Sequence, residues 1–469
     1  AEAAKWFRKA AEQGNAMAQF NLGVMYDSGS GVEKDSAEAA KWFRKAAEQG
    51  VAEAQFNLGI LLSEDGAAQD YAEAAKWYKA AAEQGNVFAQ YNLGLFCLRG
   101  TGVEKNEAEA AKWFRRAAEQ GYAEAQYNFG ICCMTGAGCE KDLAEAAKWF
   151  RNAAEQGHSM AQSNLGALYR NGDGVEKDYA EAAKWLRKAA DQGNRYAQKG
   201  LGDCYYHGTG VKQDYGVAIK WYTLAAEQGD ADAQNSLGVC YLNGEGVLQD
   251  FGAALQWLRA AAAQGDPFAQ KNIGDCYYNG DGVEKDYAEA VKWYRESAER
   301  GHANAQASLG FCYEYGQGVP KDEAEAVAWY RKAAEQGNAE AQNSLGSCCY
   351  GGRGTERDYA AAVKWFRAAA EQGFAPAQFN LGNCFASGNG EAQSDAEAFR
   401  CYKAAAEGKF APAQIKAAEY LYEGKGTEQD LQSAADWYKR ALDNSKCEAD
   451  RAAAENGLAA CKERGVQPE

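Results

Sequence analysis

Residues 15–50 read NAMAQFNLGVMYDSGSGVEKDSAEAAKWFRKAAEQG, and this stretch decides the fold. Its apolar residues recur at three and four, which predicts two helices. Helix A runs over about Asn15–Asp27 and helix B over about Ser36–Gln49. Gly29 and Gly31 break the chain between them, and Gly50 stands where a helix end wants a left-handed residue. On a helical wheel, Ala18, Leu22, Met25 and Gly29 share one side of helix A, and Ala39, Trp42, Phe43 and Ala46 share one side of helix B. Phe20, Val24 and Asp27 lie opposite in helix A, while Lys41, Arg44, Lys45 and Glu48 point outward in helix B.

The same unit recurs along all 469 residues. Tryptophan stands at 6, 42, 77, 113, 149, 185, 221, 257, 293, 329, 365 and 437, with Cys401 in the one skipped slot. A fixed period near 36 marks a stacked repeat array, which replaces the roughly three globular domains that length alone suggests. The tryptophan slot counts 13 B helices, and helix A carries a glutamine in one slot 12 times, from Gln19, Gln55 and Gln90 to Gln414. The expected fold is all-α: an array of about 13 helix-turn-helix repeats over 1–444, closed by a capping helix and tail over 445–469. The array opens in mid-repeat, and residues 1–14 are identical to 37–50, so the start reads as a cut end or as one segment of a longer protein.

One hairpin cannot bury a tryptophan, so each must lie against its neighbours. Trp42, Trp113 and Trp221 are therefore expected as core residues of the seams. Asp35 and Asp178 are expected as N-caps, each worth on the order of 1 kcal/mol, with Glu38 and Glu181 three residues on completing capping boxes. The second repeat departs from the pattern at Ser63-Glu64-Asp65-Gly66-Ala67, one residue short, and 388–395 lose the turn valine; both concern local turns, not the fold.

Composition narrows function. Charged residues make up 25% and hydrophobic ones 46%, which indicates a folded chain. No apolar run approaches the ~18 residues a membrane span needs. The net charge of −16 argues against nucleic acid or an anionic membrane as main partner.

The recurring frame is A-x-x-x-L-G-x-x-Y-x-x-G-x-G-V-x-x-D-x-x-x-A-x-x-W-x-x-x-A-A-x-x-G. Residues 161–193 carry it as Ala161, Leu165, Gly166, Tyr169, Gly172, Gly174, Val175, Asp178, Ala182, Trp185, Ala189, Ala190 and Gly193. The frame resembles the Sel-1-like repeat family, a relative of the tetratricopeptide repeat, along essentially the whole chain. The resemblance implies a right-handed α/α superhelix with helix A on the concave side, and a role in holding other proteins together. Eukaryotic members act as adaptors in endoplasmic-reticulum quality control and in activating chitin synthase; bacterial members act in envelope assembly, signalling and host contact.

Seven of the fourteen cysteines share one slot of helix A: Cys132, Cys204, Cys240, Cys276, Cys312, Cys348 and Cys384. Met25, Leu61 and Leu168 fill that slot elsewhere, so cysteine there reads as a small apolar residue. Neighbouring A helices lie ~8–10 Å apart, beyond the ~7 Å between Cα atoms that a disulfide spans. A cysteine-rich branch of the family bridges helix B to the next helix A, but the matching positions here, Ala11 and Gln19, are not cysteine. Free thiols point to a reducing, cytoplasmic compartment; a removed signal peptide would leave a secreted or periplasmic location open. Pairing of Cys447 with Cys461 also stays open. The spacing of Cys132, Cys133, Cys139 and His158 fits no common zinc pattern.

No catalytic set and no cofactor is read. The G-x-G loops join two helices and lack the ending of a phosphate loop, so they are turns. His158 and His302 share a helix-cap slot.

Function is expected on the variable side of helix A, where a protein or peptide partner, basic in character and extended or helical, would lie. Phe20, Phe56, Tyr91 and Tyr127, with Val24, Ile60, Leu95 and Ile131, make an apolar ribbon; the alternative is that these rings pack on the neighbouring helix. Further along, Lys199/Asp203 and Lys271/Asp275 sit at i,i+4 with Tyr206 and Tyr278 beside them, as a polar binding stretch or as a solvated face. The asparagine ladder, including Asn92 and Asn128, either grips a partner or bonds the next helix, whereas the glutamine ladder reads as structural. A protein-interaction scaffold is thus the leading function. A targeting or regulatory segment of a larger enzyme or membrane complex, and a near-consensus array with no evolved partner, remain beside it.

Overall fold

The computed structural model describes residues 2–64 and 69–466. Among them are thirteen B helices, twelve A helices and a closing helix, Glu448–Glu463, with no strand. Helix A of the first full repeat is Ala16–Ser28 and helix B is Ser36–Glu48. The chain packs as two compact units, Ala1–Ala233 and Gln234–Glu469. Within each, successive hairpins stack through one repeated set of contacts.

The largest fully buried side chain in most repeats is the residue after the tryptophan slot. Phe43, Tyr78, Phe114, Phe150 and Tyr222 in the first unit, and Tyr330 and Tyr402 in the second, are at most 2% exposed. Each is gripped by its own helix A at a glycine. A Cβ on Gly94 would stand 2.6 Å from the Phe114 ring, so that position must stay bare for the aromatic to seat.

The tryptophans are shallower than expected. Trp42 and Trp113 are buried at 9% and 5% exposure, but Trp221 is only half-buried and Trp6 is exposed. The reason is that the indole lies at the edge of the seam, where a cation covers its outer face. Lys45 lies 4.2 Å from the Trp42 ring centre, Arg116 lies 4.7 Å from that of Trp113, and Arg187 lies 5.4 Å from that of Trp221. The helix A stripe is likewise corrected: Ala18, Leu22 and Tyr26 are buried, whereas Met25 and Gly29 are half-buried.

The caps hold in half. The Asp35 carboxylate accepts from the amides of Ala37 and Glu38, and Asp178 from those of Ala180 and Glu181. The reciprocal half of the box is missing because the cap amide is already used. Asp35 N–H donates to the Tyr26 carbonyl at 3.0 Å, and Asp178 N–H to that of Tyr169 at 3.0 Å, which ties each helix B to the end of its helix A. The box glutamate serves elsewhere. Glu38 pairs with Lys41 at 2.6 Å, and Glu145 accepts the Trp149 indole N–H at 2.7 Å.

The turn glycines form part of the seam. Gly102 has φ 66°, and a Cβ there would lie 2.1 Å from the Tyr71 carbonyl oxygen at the start of the preceding helix B. The G-x-G loop is a turn that docks on its neighbour. The shortened turn of the second repeat falls largely outside the described residues; there helix A ends at Ser63 with Glu64 extended. At 388–395, Gly388 and Gly390 keep left-handed backbone without the valine.

Two glutamines fasten most seams. Gln19 Nε2 donates to the Ala11 carbonyl at 3.0 Å, and its Oε1 accepts from Gln49 Nε2 at 2.6 Å. The pattern repeats at Gln126, whose partners are Ala118 at 3.2 Å and Gln156 at 2.7 Å. A buried glutamine that joins two B helices and the A helix between them is committed to the seam, which explains why the slot does not vary.

Candidate partner-binding face

The ribbon rings rest on the core. Phe20 lies 5.9 Å from Phe43, Phe56 lies 6.0 Å from Tyr78, Tyr91 lies 5.9 Å from Phe114 and Tyr127 lies 5.9 Å from Phe150, centre to centre. All four are half-buried, as are Ile60, Leu95 and Ile131, while Val24 is exposed. The ribbon is thus a lid over the deep aromatics with one edge open to solvent.

The polar stretches are internally bonded. Lys199 pairs with Asp203 at 2.9 Å, and the other Asp203 oxygen accepts the Tyr222 hydroxyl at 2.9 Å. Lys271 pairs with Asp275, which accepts the Tyr294 hydroxyl at 2.8 Å. Tyr206 stacks edge-on to Tyr215 at 5.2 Å; Tyr278 does the same to Tyr287 at 5.0 Å and donates to Gln317 in the next turn. Asn128 donates to the Glu124 carbonyl at 2.8 Å and reaches the Tyr91 hydroxyl at 3.5 Å, and the half-buried Asn92 lies near the Tyr78 hydroxyl. In the second unit Asn272 donates to Asn235 at 3.0 Å and Asn380 to Asn343 at 2.9 Å, so these asparagines bond the preceding helix A.

His158 caps a helix as expected. Its Nδ1 accepts from Ala161 N–H at 3.1 Å, its ring stacks on Tyr127 at 4.6 Å, and its Nε2 lies 3.1 Å from Glu124. The fourteen cysteines are free thiols, Cys447 and Cys461 among them. Burial pushes the thiols of Cys240, Cys276, Cys312 and Cys348 up to about 12, which keeps them protonated and inert at neutral pH. Among the described residues no cluster of three or more His, Cys, Asp or Glu is placed to hold a metal.

Other surface features escaped the sequence reading. Met17, Phe88 and Tyr196 in the first unit and Phe268 in the second are about half exposed, all at the second residue of an A helix. They lie three residues before the ribbon slot, so extending the column reading by one turn would have found them. In the second unit, Phe311 and Tyr315 are exposed with rings 4.5 Å apart. One repeat on, Ser347, Gly351, Asn380, Asn383 and Ser387 with Arg353 line a cavity of about 500 Å³. A larger cavity of about 840 Å³ lies between the B helices of residues 71–83 and 107–119, with Lys76, Lys79, Lys112 and Arg116 set among Glu83, Glu104 and Glu109. No helix among the described residues is long and apolar enough to cross a membrane.

The likeness to known proteins covers the same frame. The Sel1 repeat profile matches thirteen segments, from residues 1–15 and 16–51 through to 411–445. A protective antigen of uropathogenic Escherichia coli displaying an SLR fold is 35% identical, over 99% of this chain and 98% of that one, with a TM-score of 0.73. A Sel1 repeat protein from Oxalobacter formigenes is 37% identical over 66% of this chain and 89% of that one, with a TM-score of 0.52. No curated protein sequence matches. Repeats of this kind generally mediate protein–protein contact and are generally not enzymes. With its frame matched in every repeat, this chain belongs to the Sel1 repeat family.

Proposed function

We propose that the chain is a protein-interaction scaffold that holds a peptide or protein partner along its A-helix face, the concave face in the family's superhelix. One observation carries this reading. Among the described residues, seven of the twelve exposed large apolar side chains are on A helices: Met17, Val24, Phe88 and Tyr196 in the first unit, and Phe268, Phe311 and Tyr315 in the second. Exposed apolar side chains gathered on the A helices of each unit are the mark of a contact surface. The B helices instead present Lys/Glu pairs such as Lys112–Glu109 and Lys184–Glu181, which are solvated.

The whole chain used as bait in affinity purification with mass spectrometry tests this. Phe88→Ala with Phe311→Ala is expected to release the partners that the unaltered bait retains. Tyr179→Ala with Leu224→Ala, which removes comparable exposed apolar area from B helices, is expected to keep them. Equal loss from both pairs would reject the A-helix face.

A further inference from the structure

The inference rests on the scaffold reading and narrows it to one stretch and one partner chemistry. In the first unit the second residues of successive A helices form a row: Met17, Glu53, Phe88, Glu124, Met160 and Tyr196. Phe88 is 49% exposed, and the carboxylates one repeat to either side, Glu53 and Glu124, are exposed as well. Glu124 keeps 49% of its side chain open while it holds His158.

Beneath this row lies an aromatic floor. The Phe88 ring is 5.9 Å from Phe56 and 5.4 Å from Tyr122, and Tyr122 is 5.2 Å from Tyr91. Across the A helices of residues 16–135, the row and the two ribbon slots below it hold only two charges, Glu53 and Glu124. The surface is an apolar bed with one negative group on each side of its most exposed ring. It asks for the opposite pattern: an apolar side chain between two cations.

Spacing selects the partner's backbone. Neighbouring A helices pack ~8–10 Å apart. Seven residues of helix advance ~10.5 Å and return to nearly the same side. An extended strand covers that distance in about three residues, an odd step that turns the next side chain away. We infer that this stretch docks an amphipathic helix of a partner protein, with a large apolar residue on Phe88 and a lysine or arginine seven residues before and after it, on Glu53 and Glu124.

Two synthetic helical peptides test the inference by fluorescence anisotropy against the full chain. Both carry tryptophan centrally; one has lysine seven residues to either side, the other glutamate. The basic peptide is expected to bind at least about tenfold tighter. Glu53→Lys with Glu124→Lys is expected to reverse that preference, and Phe88→Ala to weaken the basic peptide by about tenfold. Glu104→Lys with Glu140→Lys makes the same change of net charge in exposed turns and is expected to leave the preference intact. Circular dichroism checks that every variant keeps its helix content.

A shift from the turn pair equal to that from the row pair would reduce the effect to net charge and overturn the inference. So would a basic peptide indifferent to Phe88→Ala, or sedimentation showing that Phe88→Ala turns a dimer into monomer, which would make a second copy the occupant. If neither peptide binds, this inference fails by itself, because the scaffold reading is decided separately by the bait variants.

Discussion

The Tyr222 hydroxyl donates to the Asp203 carboxylate at 2.9 Å, and the same tie joins Tyr294 to Asp275 and Tyr402 to Asn383, both at 2.8 Å. In each case the acceptor follows the helix A glycine and the donor is the deep residue after the tryptophan slot. Where the deep residue has no hydroxyl, the acceptor disappears in five of six repeats: Phe43 matches Val24, Phe114 matches Leu95, Phe150 matches Ile131, Leu186 matches Ala167 and Leu258 matches Val239, while Phe366 matches Ser347. Two repeats supply the acceptor three residues later, as Ser63 for Tyr78 at 3.1 Å and Glu314 for Tyr330 at 2.8 Å. Much of the variation in this column thus follows from the need to satisfy a buried hydroxyl.

Asp203→Val is therefore expected to cost about 1–3 kcal/mol, because it removes the carboxylate that accepts the Tyr222 hydroxyl. Tyr222→Phe in the same chain should recover most of that. Urea unfolding of the four proteins of the cycle measures the coupling. A coupling indistinguishable from zero would show that the hydroxyl does not depend on Asp203.

The relative depth of neighbouring residues gives a second expectation. Tyr222 is 2% exposed and Trp221 half-buried. Tyr222→Ala is expected to cost about 3–5 kcal/mol and Trp221→Ala roughly half as much. In a stacked array the loss stays near the altered seam. Hydrogen exchange should show lowered protection centred on residues 195–227 in both variants, larger for Tyr222→Ala. The reverse order would restore the indole as the main core residue.

The repeat was legible because its signals are redundant. Thirteen copies of one period, a cap aspartate and paired glycines set the helices to within a residue of Ala16–Ser28 and Ser36–Glu48. Depth within the repeat was not legible. Trp and the following aromatic both lie on the apolar side of helix B, and only the fit of Phe114 against Gly94 separates them. The face was half legible. Column variation located the A-helix side correctly as the place where side chains differ. It could not separate variation forced by a buried tyrosine, as at Asp203 and Asp275, from variation left free at Phe88.

Two seams break the glutamine relay: Gly408 stands where Gln378 would find its second glutamine, and Arg300 stands where Gln270 would. Gln270 is 2% exposed, and its Oε1 has no hydrogen-bond partner, because Arg300 occupies the position held by Gln264 and Gln336 in the flanking repeats. Gln270 Nε2 turns instead to Glu296 at 3.1 Å. Arg300→Gln supplies the missing donor and is expected to stabilise this seam by about 1 kcal/mol. The urea midpoint of the second unit's transition checks it. An unchanged or lower midpoint would show that the guanidinium, which lies against Gly265, contributes more by packing than the lost bond.

His302 makes part of the stability depend on pH. It is the N-cap of helix Ala303–Tyr315, where its Nδ1 accepts from Ala305 N–H and its ring meets Phe268 at 4.5 Å. Burial, with the nearby Lys271 ammonium, holds its pKa below the usual histidine value against the weaker opposing pull of Asp275. Protonation would also remove the lone pair that caps the helix. The sign follows directly. The unfolded chain takes up its proton near pH 6.5 and the folded chain only below that, so between the two the unfolded state binds more protons. The contribution is complete above about pH 6.5 and is lost as pH falls through the folded value. Asparagine caps the equivalent helices at Asn15, Asn86, Asn194 and Asn338 without titrating here. His302→Asn is therefore expected to keep the cap and flatten the dependence of the urea midpoint between pH 8 and pH 5, with the difference from the unaltered chain growing toward the acid end. A variant whose midpoint falls in parallel with the unaltered chain would assign the acid sensitivity to other groups.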